Sequence, residues 1–180
     1  MLIPKNFSYL LNERFLRNFL PIPATNRFPF GQQTPDFLLP DITNQSTIQL
    51  SRYRGQKPVV LAFTRIFTDK HYCPLCYPHI IELNQQYERL VAQGIEVLMI
   101  SSTDTRQSRQ VVHDLGLKMP FLSNPSCDIF RLYQVGQALG APLPAQFILD
   151  TEGKLRYKHL FSFLSPNLDT ERLLNILASN

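Results

Sequence analysis

Apolar positions recur along the chain with a spacing that changes from helical to strand-like and back. Phe7, Leu10, Leu11, Arg14, Phe15 and Asn18 lie at helical spacing, which predicts a helix over 6–20 with a partly apolar face, stopped by Pro21 and Pro23. Packing on the domain or on a partner subunit accounts for that face. A membrane-surface helix is the sharper alternative, but its polar face carries few cations. Pro21, Pro23, Pro29 and Pro35 mark 21–35 as a connector with little regular structure. Phe37-Leu38-Leu39 and Thr47-Ile48-Gln49-Leu50 are short strand candidates around the polar turn Thr43-Asn44-Gln45, and Tyr53-Arg54-Gly55-Gln56 is another turn.

From Pro58 the pattern is that of a buried core. Pro58 to Thr64 is an apolar run rich in β-branched residues, as expected of a strand covered on both faces. A helix follows with Ile80, Leu83, Tyr87, Leu90 and Val91 inward, closed by Gly94, and Ile95 to Ile100 is a second buried strand. This is a strand-helix-strand crossover. Asp104 can cap a helix to Leu115 ended by Gly116, and Ser126 can cap another over Cys127–Val135. Gln146–Asp150, the turn 151–154 and Leu155–Leu160 read as an antiparallel hairpin; Asp169 starts a last helix with Leu173, Leu174 and Leu177 inward. The order β-α-β, helices, β-β-α is that of a thioredoxin-like α/β fold: a central mixed sheet flanked by helices, at 34–180, behind an N-terminal helical extension and connector at 1–33.

Composition narrows the class. The chain has 180 residues, 44% hydrophobic and 18% charged, enough to bury one core. Its net charge of +4 is scattered, with Arg52 and Arg54, then Arg106 and Arg109, as the only local concentrations; this is not the basic stripe of a nucleic-acid binder. No stretch approaches a membrane span, and the start lacks an apolar leader, so the expectation is a cytoplasmic protein. Three cysteines are too few for a disulfide scaffold. In a reducing compartment a close pair is catalytic or metal-binding rather than structural.

That pair is Cys73 and Cys76, in His71-Tyr72-Cys73-Pro74-Leu75-Cys76. Cys73 falls where the first core strand gives way to its crossover helix, which is where open α/β sheets place ligands. If the helix begins at Cys73, with Pro74 in its first turn, the N–H groups and partial positive charge of its N-terminus favour a thiolate there. Cys73 is then the nucleophile, and Cys76, one turn on, attacks its mixed disulfide or sulfenic acid. Zinc is the rival, because His71, Cys73, Cys76 and His79 offer four ligands, although zinc sites usually draw a second ligand pair from farther along the chain. His71 and His79 otherwise tune the thiolate or are plain surface residues. Cys127 is a half-buried small residue or an alternative resolving thiol.

Several segments, in this order and spacing, resemble the alkyl hydroperoxide reductase/thiol-specific antioxidant (AhpC/TSA) branch of the thioredoxin superfamily, the peroxiredoxin-like or redoxin proteins of the CPxC subgroup. They are Thr34-Pro35-Asp36-Phe37, Leu50-Ser51-Arg52-Tyr53-Arg54-Gly55, Val59–Phe63, Cys73-Pro74-Leu75-Cys76, Gly94-Ile95-Glu96-Val97, Phe121–Pro125 and Pro144-Ala145-Gln146-Phe147. The resemblance implies a thiol-dependent antioxidant oxidoreductase that reduces peroxides or disulfides with no bound cofactor. A thioredoxin- or glutathione-type donor would regenerate the pair, and oligomers are within the family's range. It also places Pro144, rather than Pro142, as a cis proline facing the cysteines. The peroxiredoxin proline and threonine ahead of the cysteine are not matched in Arg65–Tyr72. Nor is the peroxide-polarising arginine before Phe147, for which Arg65 and Arg131 are the candidate substitutes. A dithiol–disulfide oxidoreductase without peroxidase activity and a metal-binding module are the alternative readings.

Overall fold

A computed structural model describes residues 13–162 and 167–178. In chain order the elements are α1 (Glu13–Arg17), β1 (Leu38–Asp41), β2 (Ser46–Gln49), a 3-10 turn (Leu50–Tyr53), β3 (Val59–Thr64), β4 (Ile66–Thr68) and β5 (His71–Tyr72). Then come α2 (Tyr77–Ala92), β6 (Glu96–Ser101), α3 (Thr105–Leu115), β7 (Phe121–Ser123) and α4 (Asp128–Leu132). β8 (Gln137–Ala138), β9 (Ala141–Pro142), β10 (Ala145–Leu149), β11 (Leu155–Leu160) and α5 (Thr170–Ala178) complete the chain.

Seven strands form one mixed sheet in the order β11-β10-β3-β6-β7-β1-β2. β3 and β6 are parallel from Val59 opposite Glu96 to Thr64 opposite Ser101, as the crossover reading requires. β10 lies antiparallel on the other side of β3, with Ala145 opposite Phe63. Strand alternation divides the core between two layers. Val59, Leu61 and Phe63 of β3 pack with Ile129, Phe130 and Tyr133 around α4; Val60 and Ala62 face Ile80, Leu83 and Leu90 of α2 and Leu173 of α5. Both faces are covered, which is why β3 carries no polar side chain before Thr64. Phe63 anchors the first layer, with ring centroids 5.1 Å from Phe130, 5.2 Å from Tyr133 and 5.6 Å from Phe147. Truncating such a residue to alanine costs about 3–5 kcal/mol.

The expected elements are present, with displaced boundaries. α2 starts at Tyr77 rather than Cys73, since Pro74, Leu75 and Cys76 form a turn closed by the Cys76 and Tyr77 N–H groups on the Cys73 carbonyl, at 2.9 and 3.0 Å. Pro78, which has no N–H to lose, sits in the first helical turn instead. Val91 is exposed, because Leu90 takes the inward position in the last turn. The expected 127–135 helix shortens to α4. Cys127 adopts a left-handed conformation (φ 56°) that cannot belong to a helical turn, and Ser126 bonds Asp128 instead of capping. Asp104 does cap α3, accepting from the Gln107 N–H at 2.8 Å, and Gly116 ends it at φ 55°. Of the 6–20 helix, residues 6–12 lie outside the described residues, and α1 ends at Arg17, before Pro21.

The hairpins β4–β5 and β8–β9 carry no sequence signal of comparable clarity. They are antiparallel two-stranded ribbons outside the main sheet, one directly before Cys73 and the other directly before Pro144.

Candidate active site

The chain leaves β3 at Thr64, turns through β4–β5, and brings Cys73 back beside the end of the strand it left. The Cys73 N–H donates to the Arg65 carbonyl at 3.3 Å, which fixes the return. Both cysteines are buried, Cys73 with 6% and Cys76 with 1% of its surface exposed, and both are unpaired thiols.

Their acidities diverge. The Cys76 thiol donates to the Cys73 sulfur, and this hydrogen bond is the main reason Cys73 is pulled down to about 6. Burial opposes it; the Leu75 and Cys76 backbone N–H groups and the Arg65 charge assist. Cys76 is pushed far above the ordinary thiol range by the same hydrogen bond, then by burial and by the neighbouring Cys73 charge. At neutral pH the pair therefore consists of a Cys73 thiolate and a Cys76 thiol. The thiolate is stabilised by a turn of N–H and S–H donors rather than by a helix beginning at Cys73, because α2 begins only at Tyr77.

Arg65 supplies the charge. Only 7% of the residue is exposed. Its guanidinium donates to the Ala138 carbonyl and, at 3.5 Å, to the Leu139 carbonyl, and it stacks 4.8 Å from the Phe67 ring centroid. Its Nε–H is buried with no partner, as is the Thr64 hydroxyl one residue earlier. Burial lowers the Arg65 pKa while Cys73 and Cys76 raise it, so the cation and the two sulfurs form one electrostatic unit.

The histidines do not join it. His71 shares a 2.8 Å hydrogen bond between Nδ1 and the Thr68 hydroxyl. His79 is buried and accepts from the Gln146 amide at 2.6 Å; burial drives its pKa down to about 4, so it is neutral. It is neither a surface residue nor a neighbour that tunes the thiolate. Gln146 also reaches Leu168, and Asn167 donates to the Leu75 carbonyl at 2.7 Å, so the chain ahead of α5 is tied to the cysteine turn. Among the described residues, no three His, Cys, Asp or Glu side chains are gathered as a metal site would need, and the zinc set is dispersed.

Pro144 is buried immediately before Ala145, which pairs with Phe63, so it stands beside the end of β3 from which Arg65 departs. The expected cis bond is absent: every described peptide bond is trans. The chain comes to Pro144 from β9 with the Leu143 N–H bonded to the Gly136 carbonyl at 3.0 Å and runs extended into β10, a path that the cheaper trans isomer satisfies. Of the two arginine candidates, Arg65 is at the thiols. Arg131 lies on α4, donates to the Ser126 carbonyl, and acts on Cys127 instead. Cys127 is fully rather than half buried, with its thiol pushed up by burial against the pull of Arg14 and the Asn18 amide, and it lines a cavity of about 180 Å³ with Asn18, Phe130 and Pro142. No motif marks Arg14 and Asn18; helical spacing alone places them on the partly apolar face of the first helix.

The AhpC/TSA family model matches residues 30–158, and the chain belongs to that family. It is similar to the thiol-disulfide oxidoreductase ResA of Geobacillus kaustophilus, 28% identical over 145 residues covering 80% of this chain and 75% of the relative. It is also similar to peroxiredoxin 2 of Thermoplasma acidophilum, 25% identical over 134 residues covering 71% and 64%. Among solved structures, the peroxidoxin BcpB of Mycobacterium tuberculosis superposes with a TM-score of 0.69 at 18% identity, over 86% of this chain and 99% of that one, and shares the fold. The fold is thus the thioredoxin-like one expected, and the protein is a thiol-dependent oxidoreductase.

Proposed function

We propose that Cys73 and Cys76 form a dithiol–disulfide couple in which Cys73 attacks a peroxide or a disulfide and Cys76 resolves the product. The observation that carries this reading is the shared turn, in which the Cys76 N–H closes on the Cys73 carbonyl at 2.9 Å and the Cys73 N–H is tied to Arg65 at 3.3 Å; the lowered Cys73 and raised Cys76 acidities agree with it. With a peroxide, the thiolate takes the terminal oxygen with its hydrogen as the O–O bond breaks, and the departing alkoxide or hydroxide takes a proton from water and leaves as the alcohol or water. Cys76 then displaces water from the Cys73 sulfenic acid and closes the disulfide. With a disulfide substrate, the Cys73 thiolate breaks the substrate S–S bond, forming a mixed disulfide and releasing one substrate sulfur as thiolate; Cys76 then attacks the Cys73 sulfur and expels the second substrate sulfur, which takes the Cys76 proton. In either case an external dithiol of thioredoxin type, or glutathione, returns two electrons.

Arg65 takes the place of the arginine missing before Phe147: its unpartnered Nε–H lies in the same electrostatic unit as the thiolate and can donate to a substrate oxygen. Pro144 forms part of the wall beside the pair. A cytoplasmic antioxidant role follows, since a couple of this kind works where a reducing thiol pool regenerates it. Stopped-flow reduction of hydrogen peroxide, run beside insulin-disulfide reduction on one preparation, tests the substrate class. Turnover of peroxide supports the peroxidase reading. Insulin reduction alone assigns dithiol–disulfide exchange, and neither activity, with both thiols intact, refutes the proposal.

A further inference from the structure

Arg65 is held against the thiols by two supports, the Phe67 ring and the β8–β9 turn, and both supports are pinned by the chain ahead of the family match. Arg14 of α1 donates to the Phe67 carbonyl and to the Ser102 carbonyl, and approaches the Ser102 hydroxyl at 3.3 Å. The Leu139 N–H donates to the Phe19 carbonyl and the Gly140 N–H to the Asn18 carbonyl, each at 3.1 Å. Gly140 (φ 85°) has no side chain because the Phe15 ring fills the place of its Cβ. Ile22 and Gln137 then exchange two backbone hydrogen bonds of 2.8 Å.

These contacts converge on the residues that hold Arg65, and the segment also reaches the core where the Asn18 amide donates to the Cys127 sulfur at 3.7 Å. Leu16, Phe19 and Leu20 of the same segment remain 63, 49 and 71% exposed, so burial of apolar surface does not explain why the segment docks. A guanidinium as buried as that of Arg14 must be matched by acceptors, and its acceptors are backbone carbonyls of the β4–β5 hairpin that precedes Cys73 and of Ser102, just after β6. We propose that Glu13–Ile22 is an outer wall of the redox site and that Arg14 is a positioning residue, which keeps Arg65 against Cys73 through Phe67. The inference rests on Cys73 being the attacking thiol.

The charged and titratable groups concerned are few. Cys73 faces Cys76 and Arg65; Arg14 faces Cys127 and Asp104. Loss of Arg14 therefore reaches Cys73 through the position of Arg65.

The test is the pH dependence of Cys73 alkylation in the full chain, read by mass spectrometry with the thermal midpoint measured in parallel. Arg14→Met is expected to raise the labelling midpoint by up to about half a pH unit, no more than outright loss of the Arg65 charge would, and to slow labelling up to about twofold at pH 6. Arg14→Lys, which keeps a cationic donor for the Phe67 carbonyl, restores most of the wild-type profile. Phe15→Leu loosens the Gly140 notch without touching Arg14 and shifts the midpoint in the same direction by less. Arg17→Met, on the exposed face of the same helix, leaves it unchanged. Folded Arg14→Met or Phe15→Leu protein with the wild-type midpoint, or an equal shift in Arg17→Met, overturns the proposal. The order in which the unmodified chain's cysteines are labelled tests the reading of the pair separately.

Discussion

Arg65 grips Cys73 from two sides: its carbonyl accepts the Cys73 N–H at 3.3 Å, and its guanidinium charge bears on the Cys73 sulfur. Its backbone N–H and its charge also pull the Cys76 thiol down against the stronger influences that raise it. One residue at the end of β3 thus sets where both thiols lie and supplies the cation that the family pattern places elsewhere. Arg65→Met should preserve the backbone grip and remove the charge. Because that charge is the smallest of the named influences on Cys73, the midpoint of its alkylation profile should rise by well under one pH unit, roughly a half. Peroxide turnover should fall further than labelling, by tenfold or more, if the Nε–H donates to substrate oxygen. Equal losses in both would assign Arg65 to thiolate stabilisation alone.

The Cys76 hydrogen bond is the largest influence on Cys73. Cys76→Ala removes the donor and should raise the Cys73 midpoint more than Arg65→Met does, whereas Cys76→Ser keeps an O–H donor and should remain closer to wild type. Both variants lose the resolving sulfur and should accumulate a mixed disulfide with a disulfide substrate, visible by intact mass. A wild-type midpoint in Cys76→Ala contradicts the source of the acidity.

Stability of the reduced protein should depend on pH through the same pair. The folded Cys73 thiol titrates near 6 and an unfolded cysteine near about 8.5, so between these values the unfolded chain binds the extra proton and stability rises with pH. The limiting slope for one proton is about 1.4 kcal/mol per pH unit. Above about 8.5 the sign reverses, because unfolded Cys76 can ionise while the folded thiol does not. Chemical denaturation of reduced wild type and Cys73→Ser should diverge from pH 6 to 8.5, with the wild type gaining. A constant difference across that range contradicts a folded-state thiolate.

His79 gives an independent acid-side signal. Its folded pKa is depressed to about 4, so as pH falls from about 6.5 to 4 the unfolded state takes a proton that the folded state refuses, and stability declines. Gln146→Leu strips the partner from His79 and from the Leu168 backbone, and should cost about 2–3 kcal/mol of unfolding free energy at pH 7. A loss below 0.5 kcal/mol, on the order of an ordinary surface change, would show that the network is not a tie between α2, β10 and the chain ahead of α5.

The sheet and the thiol pair were legible because they rest on local signals. β3 and β6 are unbroken apolar runs, Asp104 and Gly116 bracket α3, and a CxxC after a buried strand advertises its chemistry. What the sequence concealed depends on long-range closure. The start of α2 moved because Pro78 competes with Pro74 for the first helical turn, and Cys76 and Tyr77 both bond the Cys73 carbonyl. Pro144 is trans because the β8–β9 hairpin, which no periodicity announces, feeds the chain extended into β10. His79 was expected as a surface or tuning residue, since nothing local reveals that Gln146 receives it from across the core. Arg14 and Asn18 act across 88 and 109 residues of sequence, beyond the reach of any motif.

The most direct measurement is cysteine mapping of the intact chain by mass spectrometry: alkylation at pH 6, and in parallel treatment with a small excess of peroxide followed by alkylation. The account predicts Cys73 as the first thiol labelled, then a Cys73–Cys76 disulfide with Cys127 still alkylatable. First labelling at Cys76 or Cys127, a dominant Cys73–Cys127 link, or a dimer joined through Cys127 would contradict it.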